Sequence, residues 1–377
     1  MPFLDFGWRL YDVRKLSLKK QKKEVDRGLL FLTLILTVIG LVAVADASAP
    51  QAVNIFGDKF YFAKQQIVWG LLGIATLFVA SRIHYSLWQK LAIPIFVAGL
   101  VLLIVVLIPS IGTQALGARR WIFLGPISIQ PSEVIKFGLA LYLAKLASKA
   151  RNFLAYFVPL ILAAGLIMLQ PDLGTTIIVG VIGMTQIFLS GINFFYFLGA
   201  AGLGALASFV LIMTSSYRRA RLLSFFEQTQ DPLGRSYHIR QILLALGSGG
   251  LFGVGLGQSR QKYLFLPEAA TDSVFAIIAE EVGFLGASVL ILLFAFWVYK
   301  GLKIARAAPD KFSQIASVGL VAWIGGQTFL NIGSMVALVP LTGVPLPFIS
   351  YGGSALVMVL LASGILLNIS RHVTNSR

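Results

Sequence analysis

The sequence predicts an all-α integral membrane protein, a bundle of ten transmembrane helices with one large extracellular loop between helices 7 and 8. Of the 377 residues, 57% are hydrophobic and only 12% are charged, about half the charged share of soluble domains. Uncharged apolar runs extend over nearly the whole chain, and Lys and Arg gather at the ends of those runs. These observations exclude a protein whose exterior faces water everywhere.

Apolar stretches that approach the roughly 20 residues a span requires predict the individual helices. Five are single runs, at residues 28–45, 65–81, 91–109, 152–171 and 282–299. Two longer runs predict two helices each because turn-forming residues divide 173–217 at 190–193 and 312–370 at 340–347. The tenth predicted helix, 132–146, is less apolar because it contains three charged residues.

The distribution of Lys and Arg predicts the orientation. Segments on the N-terminal side of the membrane hold 19 of the 31 and the opposite side holds 12, so both termini are expected in the cytoplasm. One membrane domain, 28–370, lies between a basic segment, 1–27, and a short tail, 371–377. The large loop, 215–271, is expected outside, and its glycine-rich part, 241–259, is interpreted as a short or re-entrant segment.

The formal net charge of +16 does not indicate a nucleic-acid-binding protein. The basic residues lie beside apolar segments and not along a polar face with aromatic residues. They are typical of orientation signals, of contact with membrane lipids and of a site for an anionic ligand. Because the chain has no cysteine, disulfides, thiolate metal sites and a thiol nucleophile are excluded.

Ionisable residues at or inside membrane helices are costly and usually functional. The predicted topology places seven of them near the outer surface: Arg119, Arg120, Glu133, Lys136, Asp172, Glu268 and Asp272. Lys136, one turn inside its helix, and Asp272, at the start of another, are expected at similar depth. A buried ammonium needs a carboxylate partner, and Asp272, Glu133 and Glu268 are the candidates.

Two interpretations of Asp272 remain open at this point. In the first, it forms a structural ion pair with Lys136 that joins two helices. In the second, it is a general base, since a carboxylate beside an ammonium and a helix N-terminus stays ionised and accepts a proton from a sugar hydroxyl.

Seven cations crowd the predicted outer loop and have few acids nearby. They are Arg218, Arg219, Arg221, Arg235, Arg240, Arg260 and Lys262. Guanidinium groups bind a diphosphate through paired hydrogen bonds. For any single arginine, attraction to anionic lipid headgroups is the competing explanation, so the prediction of a diphosphate site rests on the cluster.

Four blocks of sequence resemble the SEDS family (shape, elongation, division and sporulation), the FtsW and RodA type of peptidoglycan glycosyltransferase. The likeness runs from about Arg27 to Arg371. The blocks are Gly117-Ala118-Arg119-Arg120-Trp121-Ile122 with Gln130-Pro131-Ser132-Glu133 and Lys136; Gln170-Pro171-Asp172-Leu173-Gly174-Thr175; Gly247-Ser248-Gly249-Gly250 with Leu266-Pro267-Glu268-Ala269-Ala270-Thr271-Asp272 and Glu280-Glu281-Val282-Gly283; and Leu346-Pro347-Phe348-Ile349-Ser350-Tyr351-Gly352-Gly353-Ser354.

The resemblance implies ten helices and a reaction in which the 4-hydroxyl of lipid II attacks the anomeric carbon of a lipid II or polymer donor, releasing a polyprenyl diphosphate. It assigns the essential aspartate to Asp272 and importance to four further residues, Lys136, Glu268, Arg120 and Trp121. The implied partners are the growing glycan strand, a class B penicillin-binding protein and division proteins. Two departures affect the surroundings of Asp272, because members often have His at the position of Ala270 and Phe at that of Ser273.

The motifs around Arg218 and Gly255 are closer to the division (FtsW) type, and the implied location is the bacterial cytoplasmic membrane. Two other classes stay open, a flippase or transporter for the same lipid and a non-catalytic division scaffold. No clear set of metal ligands is visible in the sequence. A divalent cation nevertheless remains compatible with a diphosphate leaving group.

Overall fold

The structure, a computed structural model, describes residues 24–115, 118–125, 127–149, 153–215, 219, 222–223, 225–226, 236–263 and 265–373. Its helices, in chain order, are α1 (Arg27–Ala47), α2 (Ala49–Phe56), α3 (Tyr61–Arg82), α4 (Tyr85–Val105), α5 (Pro131–Ala147), α6 (Phe153–Met168), α7 (Leu173–Leu189), α8 (Phe194–Met213), α9 (Tyr237–Gly249), α10 (Val274–Arg306), α11 (Lys311–Met335) and α12 (Gly353–Ser370). All except α2 and α9 correspond to predicted spans.

Both predicted divisions of the long apolar runs are confirmed. Ser190 follows the end of α7, and the Asn193 side chain accepts a hydrogen bond from the backbone N–H of Phe195 at 2.9 Å to cap α8. The second run divides between α11 and α12. α9 has 13 residues, fewer than the roughly 20 that a span requires, in agreement with a short segment.

The helices have the length and surface of a multi-pass membrane protein. Within the described residues, seven are long and apolar enough to cross a bilayer, namely α1, α3, α4, α8, α10, α11 and α12. The other predicted spans, α5, α6 and α7, have 16 or 17 residues. Large apolar side chains point outward, with Phe195 79% and Leu203 70% exposed. Such a surface is costly in water and suits lipid.

A small antiparallel sheet between α4 and α5 corrects the all-α prediction. Strands β1 (Gly112–Ala115), β2 (Ala118–Leu124) and β3 (Ile127–Ile129) pair in the order β1-β2-β3. Its sequence signal was short, a run of aromatic and β-branched residues on both sides of a Gly-Pro pair, which is typical of a hairpin. This signal is weak beside the long apolar runs of the neighbouring helices, so the sequence pattern does not predict the sheet.

The core lies around α5, α11 and α12, whose residues are largely buried. α5 packs against α4 and α11, α11 also packs against α7 and α10, and α12 packs against α3. Close approach of α12 to α3 depends on Gly364, because a Cβ there would lie 2.5 Å from the carbonyl oxygen of Leu77. Small residues allow such backbone contact where lipid provides no hydrophobic force between helices.

The glycine-rich segment after α9 provides backbone hydrogen-bond partners at a break in α10. Gly283 has φ 69° and ψ −174° inside this helix, so its neighbours lose their helical hydrogen bonds. The backbone N–H of Val254 donates to the Glu280 carbonyl at 3.0 Å, and the N–H of Phe284 donates to the Gly250 carbonyl at 2.9 Å. The two segments thereby satisfy the backbone groups that the break releases, as a low-dielectric environment demands.

Candidate active site

Asp272 lies in a tight turn, residues 268–273, that precedes α10. The backbone N–H groups of Thr271 and Ser273 both donate to the Glu268 carbonyl, at 3.1 and 3.2 Å. Thr271 Oγ1 lies 3.3 Å from Asp272 Oδ1, and Asp272 is half-buried. The predicted position of this carboxylate at the start of a helix is confirmed.

Neighbouring elements hold the backbone of this turn. Asn331 of α11 donates from Nδ2 to the Asp272 carbonyl at 2.7 Å and to the Val344 carbonyl at 2.8 Å. The Ser350 hydroxyl donates to the Thr271 carbonyl, and the N–H of Tyr351 donates to the Ala270 carbonyl at 2.8 Å. The main chain around Asp272 is therefore fixed before any substrate arrives.

Lys136 pairs with Glu133, which corrects the expected pairing with Asp272. Its Nζ lies 2.8 Å from Glu133 Oε1 and 2.8 Å from Gln327 Oε1, and 5.1 Å from the centre of the Trp323 ring. Lys136 and Glu133 are each 1% exposed. Glu133 was one of three candidate partners, and it is favoured because it lies one turn away on the same helix, α5.

One helix connects this buried pair to Asp272. Gln327 and Asn331 lie four residues apart on α11 and therefore share one face. Gln327 binds Lys136, and Asn331 binds the Asp272 backbone. The structure thus brings Lys136 and Asp272 to the same region through two amide side chains. These amides were missed in the sequence, although polar residues four apart in an apolar span are a usable signal.

Glu268 shares the turn with Asp272 and is exposed. Its Oε2 accepts a hydrogen bond from Thr271 Oγ1 at 2.8 Å. Glu268 has φ 51°, and Phe348, in the adjoining loop, has φ 65°. Non-glycine residues seldom adopt such angles, which persist where the surroundings enforce them and often mark functional sites.

A cavity of about 270 Å³ lies between β2, the first turns of α7, the end of α8 and the segment after α11. Its lining is mostly apolar, and Leu330, which precedes Asn331 in α11, contributes to it. The cavity is therefore adjacent to the helix that holds Asp272. Arg120 and Asp172 add charge to the lining.

Arg120 binds the loop between α6 and α7. It donates from Nε to the Gln170 carbonyl at 3.2 Å and from Nη2 to the Pro171 carbonyl at 2.7 Å, and its Nε lies 3.9 Å from Asp172 Oδ2. Asp172 caps α7 by accepting from the backbone N–H of Thr175 at 3.0 Å. Trp121, next to Arg120 on β2, is half-buried and faces Thr113 in the register of the sheet.

The predicted cation cluster divides into exposed and buried members. Arg218, Arg221 and Arg235 lie outside the described residues, whereas Arg219, Arg240 and Arg260 are exposed.

The structure corrects the prediction that Lys262 belongs to an outer diphosphate-binding cluster. Lys262 is 5% exposed, and its Nζ lies 2.6 Å from Asp46 Oδ1 and 2.9 Å from Glu281 Oε1. Its donors are engaged inside the protein, and it is unsuited to bind a diphosphate at the surface.

The arrangement can support proton transfer from a hydroxyl to a fixed carboxylate, and an apolar cavity borders the helix that holds this carboxylate. Such chemistry needs the base held in position and an adjacent volume for the substrate. The turn of Asp272 holds the base in position, and the cavity near Arg120 provides a volume for the substrate.

Comparison with known proteins identifies the relatives of the chain. The model of the cell cycle protein family of FtsW, RodA and SpoVE matches residues 27–375. Stage V sporulation protein E of Bacillus subtilis is 42% identical, over 93% of this chain and 98% of that protein. The probable peptidoglycan glycosyltransferase FtsW of Geobacter metallireducens is 38% identical, over 95% of this chain and 98% of that protein.

Solved structures show the same fold. A chain from a peptidoglycan synthase complex that coordinates polymerization and crosslinking has a TM-score of 0.76 and 29% identity, over 92% of this chain and 98% of that one. The rod shape determining protein RodA of Thermus thermophilus has a TM-score of 0.69 and 30% identity, over 93% of this chain and 98% of that one.

Proposed function

The chain belongs to the cell cycle protein family of FtsW, RodA and SpoVE, and we propose that it polymerises lipid II into glycan strands on the outer face of a bacterial cytoplasmic membrane. It is a peptidoglycan glycosyltransferase, the class that names its FtsW relatives.

In the proposed reaction, the 4-hydroxyl oxygen of an acceptor sugar bonds to the anomeric carbon of the donor. The bond from that carbon to the diphosphate breaks, and the polyprenyl diphosphate leaves. The hydroxyl proton passes to the Asp272 carboxylate.

The observation that carries this mechanism is the fixed turn around Asp272, held by α11, together with a largely apolar cavity that the same helix borders. A lipid-linked sugar has an apolar tail and a charged diphosphate, so it needs a site that joins both kinds of surface. The Arg120 guanidinium at the cavity is itself bound to backbone carbonyls, and we assign it to shaping this wall. Lys136, paired with Glu133 on α5, joins this helix to Gln327 of α11 and so supports the base indirectly.

The decisive experiment is polymerisation of lipid II by the purified protein. Glycan strands of many disaccharides support the proposal. Movement of lipid II across the bilayer without polymer would indicate the flippase, and neither activity would indicate the scaffold. The same assay with and without a chelator tests whether a divalent cation is required.

We also propose a partner and a place in the cell. The structural neighbour from a peptidoglycan synthase complex supports association with a class B penicillin-binding protein, which would crosslink the new strands. Relatives named FtsW support a role in division. Depletion followed by microscopy tests this role, since loss of a division enzyme gives filaments and loss of an elongation enzyme gives rounded cells.

The proposed topology has ten spans and both termini in the cytoplasm, with α5, α6 and α7 as short spans. A protease-sensitive tag at either terminus is expected to resist protease added to intact cells, while a tag inserted within residues 215–237 is expected to be cut. The reason is the excess of Lys and Arg on the N-terminal side. Cleavage of a terminal tag in intact cells would contradict this orientation.

The outer arginines are expected to bind the diphosphate of the substrate. Replacing Arg218, Arg219 and Arg221 together with Gln should raise the KM for lipid II by about tenfold or more, since a charge-assisted hydrogen bond contributes about 1.5–3 kcal/mol. The matched control replaces Lys303 and Arg306 with Gln, because both are exposed at the opposite end of α10. Equal KM values for the two variants would indicate lipid headgroup attraction instead.

A further inference from the structure

The turn that contains Asp272 has a contact with α9 that the mechanism above does not use. His238, in the first turn of α9, lies with its Nε2 2.9 Å from Ser273 Oγ. Ser273 directly follows Asp272 and is fully buried. We propose that His238 is a positioning residue for Asp272 and acts through Ser273. This inference rests on the proposed function, in which Asp272 is the base.

The hydroxyl of Ser273 does not cap the helix that it precedes. Ser273 occupies the N-cap position of α10, where a serine side chain usually accepts a hydrogen bond from the first turn of its helix. Here the side chain makes no such cap bond and meets the His238 ring instead. The hydroxyl of Ser273 therefore bonds to His238 in place of a helix cap, which agrees with a role in positioning Asp272.

The contact completes the attachment of the turn to its surroundings. Asn331 of α11 holds the carbonyl of Asp272, and Ser350 holds the carbonyl of the preceding residue. His238 holds the side chain of the following residue from a third direction. A carboxylate with fixed main chain on both sides has few orientations available, and orientation strongly affects the rate of a proton transfer.

α9 is well suited to provide such a support. It packs along the first part of α10, and a Cβ at Gly249 would lie 2.4 Å from the Ala279 carbonyl oxygen. The helix also begins directly after the arginine-bearing part of the outer loop. His238 thus joins the segment proposed to bind the diphosphate to the turn that carries the base.

The test is a double-variant cycle measured by lipid II polymerisation with the purified protein. His238→Ala and Ser273→Ala are each expected to lower kcat by about tenfold, with the KM for lipid II little changed. The combined variant should lose no more than either single variant, because both remove the same bond. His238→Gln should recover most of the rate, since its terminal amide can reach the Ser273 hydroxyl.

Tyr237→Phe is the matched control. It removes a hydrogen bond from the same turn of α9, which the Tyr237 hydroxyl donates to the Phe265 carbonyl at 2.8 Å, but it leaves the turn around Asp272 untouched. We expect its kcat to equal that of the parent protein. A purely structural role for His238 would lower thermal stability and leave the kcat of the folded protein unchanged.

The proposal would be overturned if His238→Ala lowered thermal stability but left kcat unchanged. It would also be overturned if the losses of kcat in the two single variants added independently in the combined variant. Polymerisation by the parent protein and its loss in Asp272→Asn report separately on the proposed function. A failure of the base is thereby distinguished from a failure of its positioning.

Discussion

Replacement of Asp272 with Asn is expected to lower glycan polymerisation by about a hundredfold or more, the usual contribution of a general base. Asn has nearly the same shape as Asp and keeps an oxygen at the position of Asp272 Oδ1, 3.3 Å from Thr271 Oγ1. It is a far weaker base than a carboxylate and cannot take the proton of the attacking hydroxyl. The backbone bond from Asn331 does not depend on the side chain, so folding should be preserved.

The measurements are the rate of lipid II polymerisation and the thermal stability of the same purified variant. Asp272→Glu retains the charge and displaces it by one methylene, and we expect an intermediate rate. Asp58→Asn is the matched control, since it removes a carboxylate that pairs with Lys64 at 2.7 Å in another loop. A stable Asp272→Asn variant that forms long strands at near the parent rate would eliminate the mechanism.

Because Lys136 pairs with Glu133, the Asp272→Asn variant can separate a loss of activity from a loss of stability. If Lys136 paired with Asp272, then Asp272→Asn would leave a buried ammonium without its partner and would reduce stability as well as activity. Because Lys136 is bound by Glu133 and Gln327, loss of the Asp272 charge should leave it satisfied. Activity and stability are therefore expected to separate.

Replacement of Lys136 with Met is expected to lower the free energy of unfolding by about 3–5 kcal/mol, the cost of leaving one buried charge without its partner. The stranded charge is that of Glu133, which is 1% exposed. Its Oε2 already has no hydrogen-bond partner among the residues that the structure describes. Polymerisation should fall as the attachment of α5 to α11 weakens. Chemical or thermal denaturation of the detergent-purified protein measures the effect.

A second substitution decides whether Lys136 acts through structure or on the substrate. Adding Glu133→Gln to Lys136→Met removes both charges, which should restore much of the stability, because a buried pair can be replaced by neutral groups at little cost. We expect most of the activity to return with it. A double variant that is stable but inactive would show that the ammonium itself contacts the substrate.

The family and the enzyme class were predicted from short motifs, and both are confirmed by the comparisons. The division between α7 and α8 at Ser190 and Asn193 was also predicted. The ends of several helices were not, since α10 covers Val274–Arg306 where 282–299 was predicted, and α2 was missed. The roles of Asp272, Glu268, Arg120 and Trp121 in the reaction stay predictions. For Arg218 and Arg221, the structure adds no description.

Other features depended on contacts between residues far apart in the chain. Lys262 was assigned to a surface cluster because its sequence neighbours are basic. Its actual partner Asp46 lies at the end of α1, and no local pattern could identify it. The small sheet at β1–β3 was missed because a few alternating residues give a weak signal beside long apolar runs.

The sequence by itself determined that this chain crosses a membrane, approximately where most of its helices lie, and which motifs it shares with a family. These are local properties, since hydropathy, turn residues and caps act within a few positions. Tertiary structure alone decided that Gln327 of α11 binds Lys136 and that Asn331 holds the backbone of Asp272. The physical reason is that the partner of a buried charge depends on how each helix is rotated and how deeply it packs. That choice is made by contacts over the whole bundle.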